Sequence, residues 1–316
     1  MSSSKALLSV VIPTKNAGNE FIQVLSNLRA QNRHGDAEIV IVDSGSTDGT
    51  VQTARSFACK IIEIEPEAFN HGNTRNLGIA ESCGEYVCLL TQDAIPQGSD
   101  FLSVLVDSMI INNAAGAYAR QAPRINASAL VRRDVERWLS GSATKRIVTM
   151  DSANEFFASP PIERYQTCVF DDVASMIRRE VWEKIPFPIV DFGEDIEWGY
   201  RVLVNGHTIV YEPRAVVEHS HERSVDYTFK RTYVDHYRLY ELFGVRTIPT
   251  RRRVVRSIVW KCLLDWGDLL RSPEFSFRRL KEWAQTPAHA WASAWGQYRG
   301  ARDAAQGFPL RRSRDV

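Results

Sequence analysis

Residues 38–50 read Glu-Ile-Val-Ile-Val-Asp-Ser-Gly-Ser-Thr-Asp-Gly-Thr. An apolar run that ends in Asp43 and then Ser44-Gly45-Ser46 predicts a strand over 38–43 and a turn, with Thr47 or Asp48 capping the next helix. On either side the same alternation returns. The run 7–12 is short, apolar and stopped by Pro13, which predicts a first strand. It leads into Pro13-Thr14-Lys15-Asn16 without a small-residue cleavage pattern, so it does not read as a signal-peptide core. Asn19 is placed to cap a helix with Phe21, Val24, Leu25 and Leu28 on one face. Residues 60–65 predict a third strand, 73–82 a helix, and 85–91 a fourth, buried strand. Strand alternating with helix predicts a parallel sheet covered by helices. Further on, 168–177 reads as strand and 196–203 as helix, closed by Gly206. Residues 207–211 and 215–219 read as two short strands around Glu212-Pro213. After about residue 224 the pattern is helical.

In an open sheet of this kind, ligands sit beyond the carboxyl ends of the strands. The polar residues expected there are Pro13, Thr14, Lys15 and Asn16; Asp43, Ser44, Ser46 and Asp48; Asn70, His71, Gly72, Arg75 and Asn76; and Thr91, Gln92 and Asp93. Taken singly they are turn and cap residues. Asp93 follows a buried strand and precedes Pro96, where a carboxylate can hold a hard divalent cation against a diphosphate. Glu194, Asp195 and Glu197 open a predicted helix. They suit its dipole, and one of them can also act as a general base. His219 and His221 share one face of a strand and can supply imidazole to a metal.

Together these segments resemble the family 2 glycosyltransferases: Val-Val-Ile-Pro-Thr-Lys-Asn (10–16), Ile-Val-Asp-Ser-Gly-Ser-Thr-Asp-Gly-Thr (41–50), His-Gly-Asn-Thr-Arg-Asn-Leu-Gly (71–78), Leu-Leu-Thr-Gln-Asp-Ala (89–94) and Gly-Glu-Asp-Ile-Glu-Trp (193–198). The resemblance covers roughly 7–222. It implies the GT-A fold, a Rossmann-like mixed α/β sheet flanked by helices, here with an α-helical C-terminal extension. It also implies a nucleotide-diphosphate sugar donor, Mg²⁺ or Mn²⁺, and inversion at the anomeric centre. The run 69–76 with Thr91-Gln92-Asp93 is similar to the bacterial rhamnosyltransferase branch. That implies dTDP-β-L-rhamnose as donor and a glycan or polyprenyl-linked saccharide as acceptor, in cell-surface polysaccharide assembly. The residue types equally admit a UDP- or GDP-sugar.

Carried onto this chain, Pro13, Thr14, Asn16, Asp43, Ser46, Arg75, Gln92 and Asp93 would bind the nucleotide diphosphate. Asp195 would be the general base, and Glu194 and Trp198 would meet the acceptor. Asp93 and His219, or His221 in its place, would hold the metal. Thr91 departs from the family's Asp-x-Asp pattern, so weak or conditional metal binding is expected, and a sugar-nucleotide-binding scaffold without turnover stays open. A dehydrogenase is disfavoured, because no Gly-x-Gly-x-x-Gly follows either early strand.

Composition sets the remaining limits. The 316 residues carry 39 Lys+Arg and 38 Asp+Glu, ordinary globular values. Residues 246–316 alone carry 13 Arg, 2 Lys and 6 acids, a net of +9, leaving −8 on the rest; five of the eight Trp are there too. The expected division is a catalytic domain over 1–224 and a helical, basic, Trp-rich region over 225–316. Residues 251–270 resemble an amphipathic helix lying in a membrane interface, and a helix docked on the catalytic body or on another subunit accounts for the same apolar face. An anionic membrane surface is therefore an expected partner and nucleic acid is not. A cytoplasmic enzyme, peripheral on the inner membrane face, is the expected setting, and an oligomer is allowed. The five cysteines include no CxxC pair, which fits a reducing compartment.

Overall fold

The computed structural model describes residues 8–150, 152–271 and 277–310. Residues 6 and 7 of the expected first strand, and the last basic stretch 311–316, lie outside them. The strands are β1 (Leu8–Thr14), β2 (Glu38–Asp43), β3 (Lys60–Glu63), β4 (Tyr86–Leu90), β5 (Ile95–Gln97), β6 (Gly116–Ala122), β7 (Arg146–Val148), β8 (Ala174–Arg178) and β9 (Ile209–Glu218). The helices are α1 (Glu20–Arg29), α2 (Thr50–Ser56), α3 (His71–Ala80), α4 (Phe101–Ile111), α5 (Ala129–Arg137), α6 (Ala153–Ala158), α7 (Pro161–Thr167), α8 (Arg179–Trp182), α9 (Glu194–Val204), α10 (Val225–Phe243), α11 (Arg251–Arg271) and α12 (Phe277–Ala305).

All nine strands join one sheet in the order β3-β2-β1-β4-β8-β6-β9-β5, with β7 also on β9. The first four run parallel. Beyond them the sheet is mixed, as the resemblance implies: β8 is antiparallel to β4 and β6, while β5 and β7 are antiparallel to β9. A buried strand reads as an apolar run whichever way it points, so the sequence pattern does not carry direction. The two short strands expected around Glu212-Pro213 are one, β9. Its register on β6 jumps there, from Ala119↔Glu212 to Arg120↔Val216. Likewise, strand begins only at Ala174, not at 168. Gly49 in a left-handed conformation precedes α2, while Asp48 Oδ1 accepts from the Thr50 hydroxyl at 2.6 Å.

Alternation along β1 sends Val10 and Ile12 to one face and Val11 to the other. The first face is covered by α1 and α4, and the second by α3, α9 and the Phe170–Trp198–Phe187 aromatic group. Helix α3 lies so close to the sheet that a Cβ on Gly78 would stand 2.3 Å from Val11 Cγ1. The C-terminal helices dock on this body. Arg238 of α10 pairs with Glu197 at 2.7 Å and donates to the Phe192 carbonyl, and Leu239 and Phe243 enter the second-face core. Helix α12 crosses α10 where a Cβ on Gly300 would meet the Tyr233 carbonyl at 2.2 Å. Helix α11 turns Val254, Cys262 and Leu269 inward, and its two acids, Asp265 and Asp268, clamp Arg133 of α5 at 2.7 and 3.0 Å.

Gly78→Ala is expected to cost about 1–3 kcal/mol through overpacking, read as a lower urea midpoint with unchanged slope. An unchanged midpoint would mean that α3 can lift off the sheet.

Candidate functional site

The carboxyl ends of β1, β2, β4 and β6 and the start of the antiparallel β8 meet at one edge, and the loops leaving them are stitched together. Asp43 ends β2 and is buried. Its Oδ1 accepts from Thr14 Oγ1 at 2.8 Å and Ser46 Oγ at 2.6 Å, and its Oδ2 accepts from the Gly45 and Ser46 amides. Asn16, at φ 47°, gives its amide N–H to Ser46 Oγ and accepts from the Thr47 amide. Gln92 brackets Lys15, accepting from its N–H and donating to its carbonyl. Pro13 and Thr14 complete β1 beside these loops. An open cavity of 400 Å³ lies here, lined by Ser46, Thr47, Gly49, Gln52, Arg55 and Glu63.

The second cluster joins the loop after β4 to the end of β9. Asp93 Oδ2 stands 3.0 Å from His221 Nε2 and 3.7 Å from His219 Nε2, and the two imidazole nitrogens are 3.0 Å apart. All three ligand atoms fall within 4.8 Å of one another. One carboxylate oxygen and two imidazole nitrogens form a donor set that fits a divalent transition ion. Both histidines stand in this cluster. Burial holds His219 down to about 4, which leaves its imidazole neutral and able to ligate. Burial alone would raise Asp93, but the His221 hydrogen bond and the charges of both histidines bring it down to about 2. Arg124 approaches Asp93 Oδ2 at 3.7 Å. An open cavity of 240 Å³ begins beside His221, lined by Arg124, Ser220 and Glu222 among others.

The third cluster is acidic. Gly193, at φ 75°, starts α9, and Glu194 and Asp195 follow in its first turn. Arg75 from α3 is 4% exposed, with Asp172 Oδ2 at 2.7 Å and Glu194 Oε1 at 2.9 Å. Its guanidinium is consumed by this buried pairing, so the expected contact with the nucleotide is corrected. The acceptor contacts expected of Glu194 and Trp198 are corrected too. Glu194 is buried and spends its carboxylate on Arg75, and Trp198 is 0% exposed, donating Nε1–H to the Ile185 carbonyl. Both fall on the inward face of α9, four residues apart. Asp195 does not: its Oδ1 accepts from the Ile196 amide and it remains half-buried. Burial first, then the negative charges of Asp172, Glu194 and Asp171, push its carboxyl well above 3.8. Such a carboxyl is tuned toward proton transfer.

Three residues of this edge had no sequence signal strong enough to name them. Asp171 and Asp172 stand side by side before β8, and only the fold brings them to Arg75 and Asp195. Gln121, next to last in β6, joins Asp171 to His219.

A curled mixed sheet with helices on both faces, hydrogen-bonded polar loops past β1 and β2, and a carboxylate–histidine cluster past β4 and β9 define the GT-A class of sugar transferase. The profile of glycosyl transferase family 2 matches residues 9–185, and the chain belongs to that family; it is a glycosyltransferase. It is 29% identical to the O-antigen chain rhamnosyltransferase RfbN of Salmonella typhimurium over 234 residues, 72% of this chain and 70% of the relative. It is 27% identical to WbaN of Salmonella anatum, an O-antigen chain rhamnosyltransferase as well, over 71% and 70%. Two solved structures share the fold. Staphylococcus aureus TarS with UDP-GlcNAc superposes with a TM-score of 0.54 at 15% identity, covering 96% of this chain and 93% of that one. The mannosyltransferase PcManGT of Pyrobaculum calidifontis with GDP-Man and Mn²⁺ gives 0.52 at 16% identity, covering 99% and 79%.

Arg75→Leu leaves two buried carboxylates without their cation and is expected to cost about 3–5 kcal/mol at neutral pH, read by denaturant unfolding. Wild-type stability together with lost nucleotide affinity would restore the nucleotide contact.

Proposed function

We propose that the chain transfers L-rhamnose from dTDP-β-L-rhamnose, with inversion, to a hydroxyl of a glycan or polyprenyl-linked saccharide in cell-surface polysaccharide assembly. The similarity to two O-antigen rhamnosyltransferases over about seven-tenths of the chain carries the choice of donor class. Pro13, Thr14, Asn16, Asp43, Ser46 and Gln92 hold the nucleoside end. Asp93, His219 and His221 hold a divalent cation, Mn²⁺ suiting two nitrogen donors better than Mg²⁺. When bound, that ion offsets charge on the departing diphosphate.

Asp195 performs the proton chemistry. An acceptor hydroxyl is a poor nucleophile until its proton is taken. The raised carboxyl of Asp195 makes it a stronger base than an ordinary carboxylate, and the buried Arg75–Glu194 pair fixes the helix turn that presents it. Burial of part of the site strengthens each of these electrostatic terms. A UDP- or GDP-sugar would use the same residues in the same way, and only the base pocket would differ.

The outward face of α11 suits a lipid-linked acceptor. Val255, Val259, Trp260, Leu263, Leu264 and Leu270 are exposed there, as are Arg252, Arg253 and Arg256. Both acids of the helix are turned inward onto Arg133. An apolar, acid-free face edged with arginine matches an anionic bilayer interface. Among the described residues no helix is long and apolar enough to cross a membrane, so this contact is peripheral.

Three outcomes follow. Asp195→Asn is expected to lower kcat about a hundredfold or more while leaving dTDP affinity unchanged by calorimetry; retained turnover removes the base assignment. A base must be deprotonated to act, so kcat/KM falls as pH drops through a value above 3.8; an acid limb at or below the ordinary carboxylate range contradicts the tuning. Replacing Trp260 and Leu263 by Ser is expected to weaken cosedimentation with phosphatidylglycerol vesicles by about tenfold or more, since each buried apolar side chain is worth about 1.5–3 kcal/mol. Equal sedimentation with and without these side chains would locate any membrane contact elsewhere.

A further inference from the structure

Asp171 is a carboxylate with its lone pairs spoken for. Its Oδ1 accepts from the Val173 amide at 3.2 Å, and its Oδ2 accepts from Ser140 Oγ at 2.6 Å and from Gln121 Nε2 at 2.5 Å. An ionised carboxylate only accepts, so the Gln121 atom facing it must be the amide nitrogen. Turning the amide over would set two acceptor oxygens against each other at that distance. Gln121 Oε1 is thereby aimed the other way, at His219 Nδ1, 2.9 Å off. An amide oxygen also only accepts, so Nδ1 carries the proton. A neutral imidazole has one proton, so the lone pair of His219 sits on Nε2, the atom that faces Asp93 and His221.

The parts of this chain come from rigid positions. Gln121 lies on β6 and His219 directly follows the neighbouring β9: the His219 amide donates to the Ala122 carbonyl at 2.9 Å, continuing the ladder in which Gln121 pairs with Val217. Ser140 is 0% exposed and anchors the far side of Asp171. Side-chain freedom is low throughout, which is what an outer partner of a metal ligand requires.

We propose that Gln121 is a positioning residue of the cation site: backed by Asp171 and Ser140, it holds His219 in the Nδ1–H tautomer, so that Nε2 is a ready-made ligand. This rests on the assignment of Asp93, His219 and His221 to a divalent cation. Gln121 touches neither donor nor acceptor in this scheme and acts through His219 alone.

Two readouts test it. Long-range ¹H–¹⁵N spectra of the metal-free protein at pH 7.5 report the tautomer of His219, with His219→Asn for assignment. The wild type is expected as Nδ1–H. Gln121→Met, which offers no acceptor opposite Nδ1, should lose that preference. Separately, Mn²⁺ is titrated in the presence of dTDP and free Mn²⁺ is followed by electron paramagnetic resonance. Gln121→Met is expected to bind about 10–100-fold more weakly, with an unchanged melting temperature. A wild-type Nε2–H tautomer, or Mn²⁺ affinity in Gln121→Met within about twofold of wild type, overturns the proposal. A wild type that takes up no Mn²⁺ overturns the cation site itself, and the metal-free tautomer tells the two failures apart.

Discussion

One buried guanidinium organises the catalytic half of this molecule. Arg75 projects from α3 into the space between the loop before β8 and the first turn of α9, and finds a carboxylate on each side. A buried charge is tolerable only when it is paired, and neither partner can leave without exposing the other to a large desolvation cost. Three elements far apart in sequence are thus held in one arrangement. Because Glu194 is drawn inward, the adjacent Asp195 is rotated about 100° around α9 and left half-buried at the edge of the cleft. The same cluster sets its chemistry. Four carboxylates, Asp171, Asp172, Glu194 and Asp195, gather around Arg75, with Arg231 the further cation acting on them. The uncompensated negative charge, on top of burial, is what raises Asp195. Position and basicity have a common origin.

The C-terminal helices complete that cleft as well as extending the chain. Arg238 of α10 ties Glu197 and the Phe192 carbonyl, and Arg231 of α10 lies over the Phe192 ring at 4.3 Å. The α9 entry turn is therefore braced from outside by α10 and from inside by Arg75. Helix α11 shows a division of labour by face. Its acids and smaller apolar side chains are spent on docking, through Arg133, while arginines and bulky apolar residues are left outward. The net charge of +9 over 246–316 understates how basic that outer face is, since Asp265 and Asp268, both counted against it, point inward onto Arg133.

Much of this frame was legible in the sequence. The 38–43 strand appears with the boundaries read from it, because an apolar run ended by Asp-Ser-Gly-Ser combines a burial signal with a turn signal. Asn70, placed among the edge residues, caps α3 by accepting from the Asn73 amide at 3.0 Å. The misreadings share a cause. The resemblance assigns Arg75, Glu194 and Trp198 to ligands by motif position, which does not say which way a side chain faces. For Glu194 and Trp198 the correction was present in the spacing, since residues four apart on a helix share a face and the Trp makes that face the buried one. For Arg75 it was not, because its partner Asp172 is fixed only by the antiparallel pairing of β8 on β4, a direction no apolar run encodes. Gln121 is the extreme case, a lone amide at a strand end with no pattern to mark it.

The departure at Thr91 gains a physical meaning beside the two histidines. With a second aspartate there, the protein would offer a divalent cation two negative charges. In the proposed cation site, with Thr91, Asp93 would be the one anionic ligand beside two neutral imidazoles, so a bound ion would keep a net positive charge toward the open side of the cluster. A diphosphate would meet an attractive field there and could supply the missing oxygen ligands, while the bare ion would be held by fewer charges. Ion and donor should then bind together better than either binds alone. The same logic gives the neutral, pre-set His219 its value: without a second carboxylate to pull the ion in, the site depends on ligands already facing the right way.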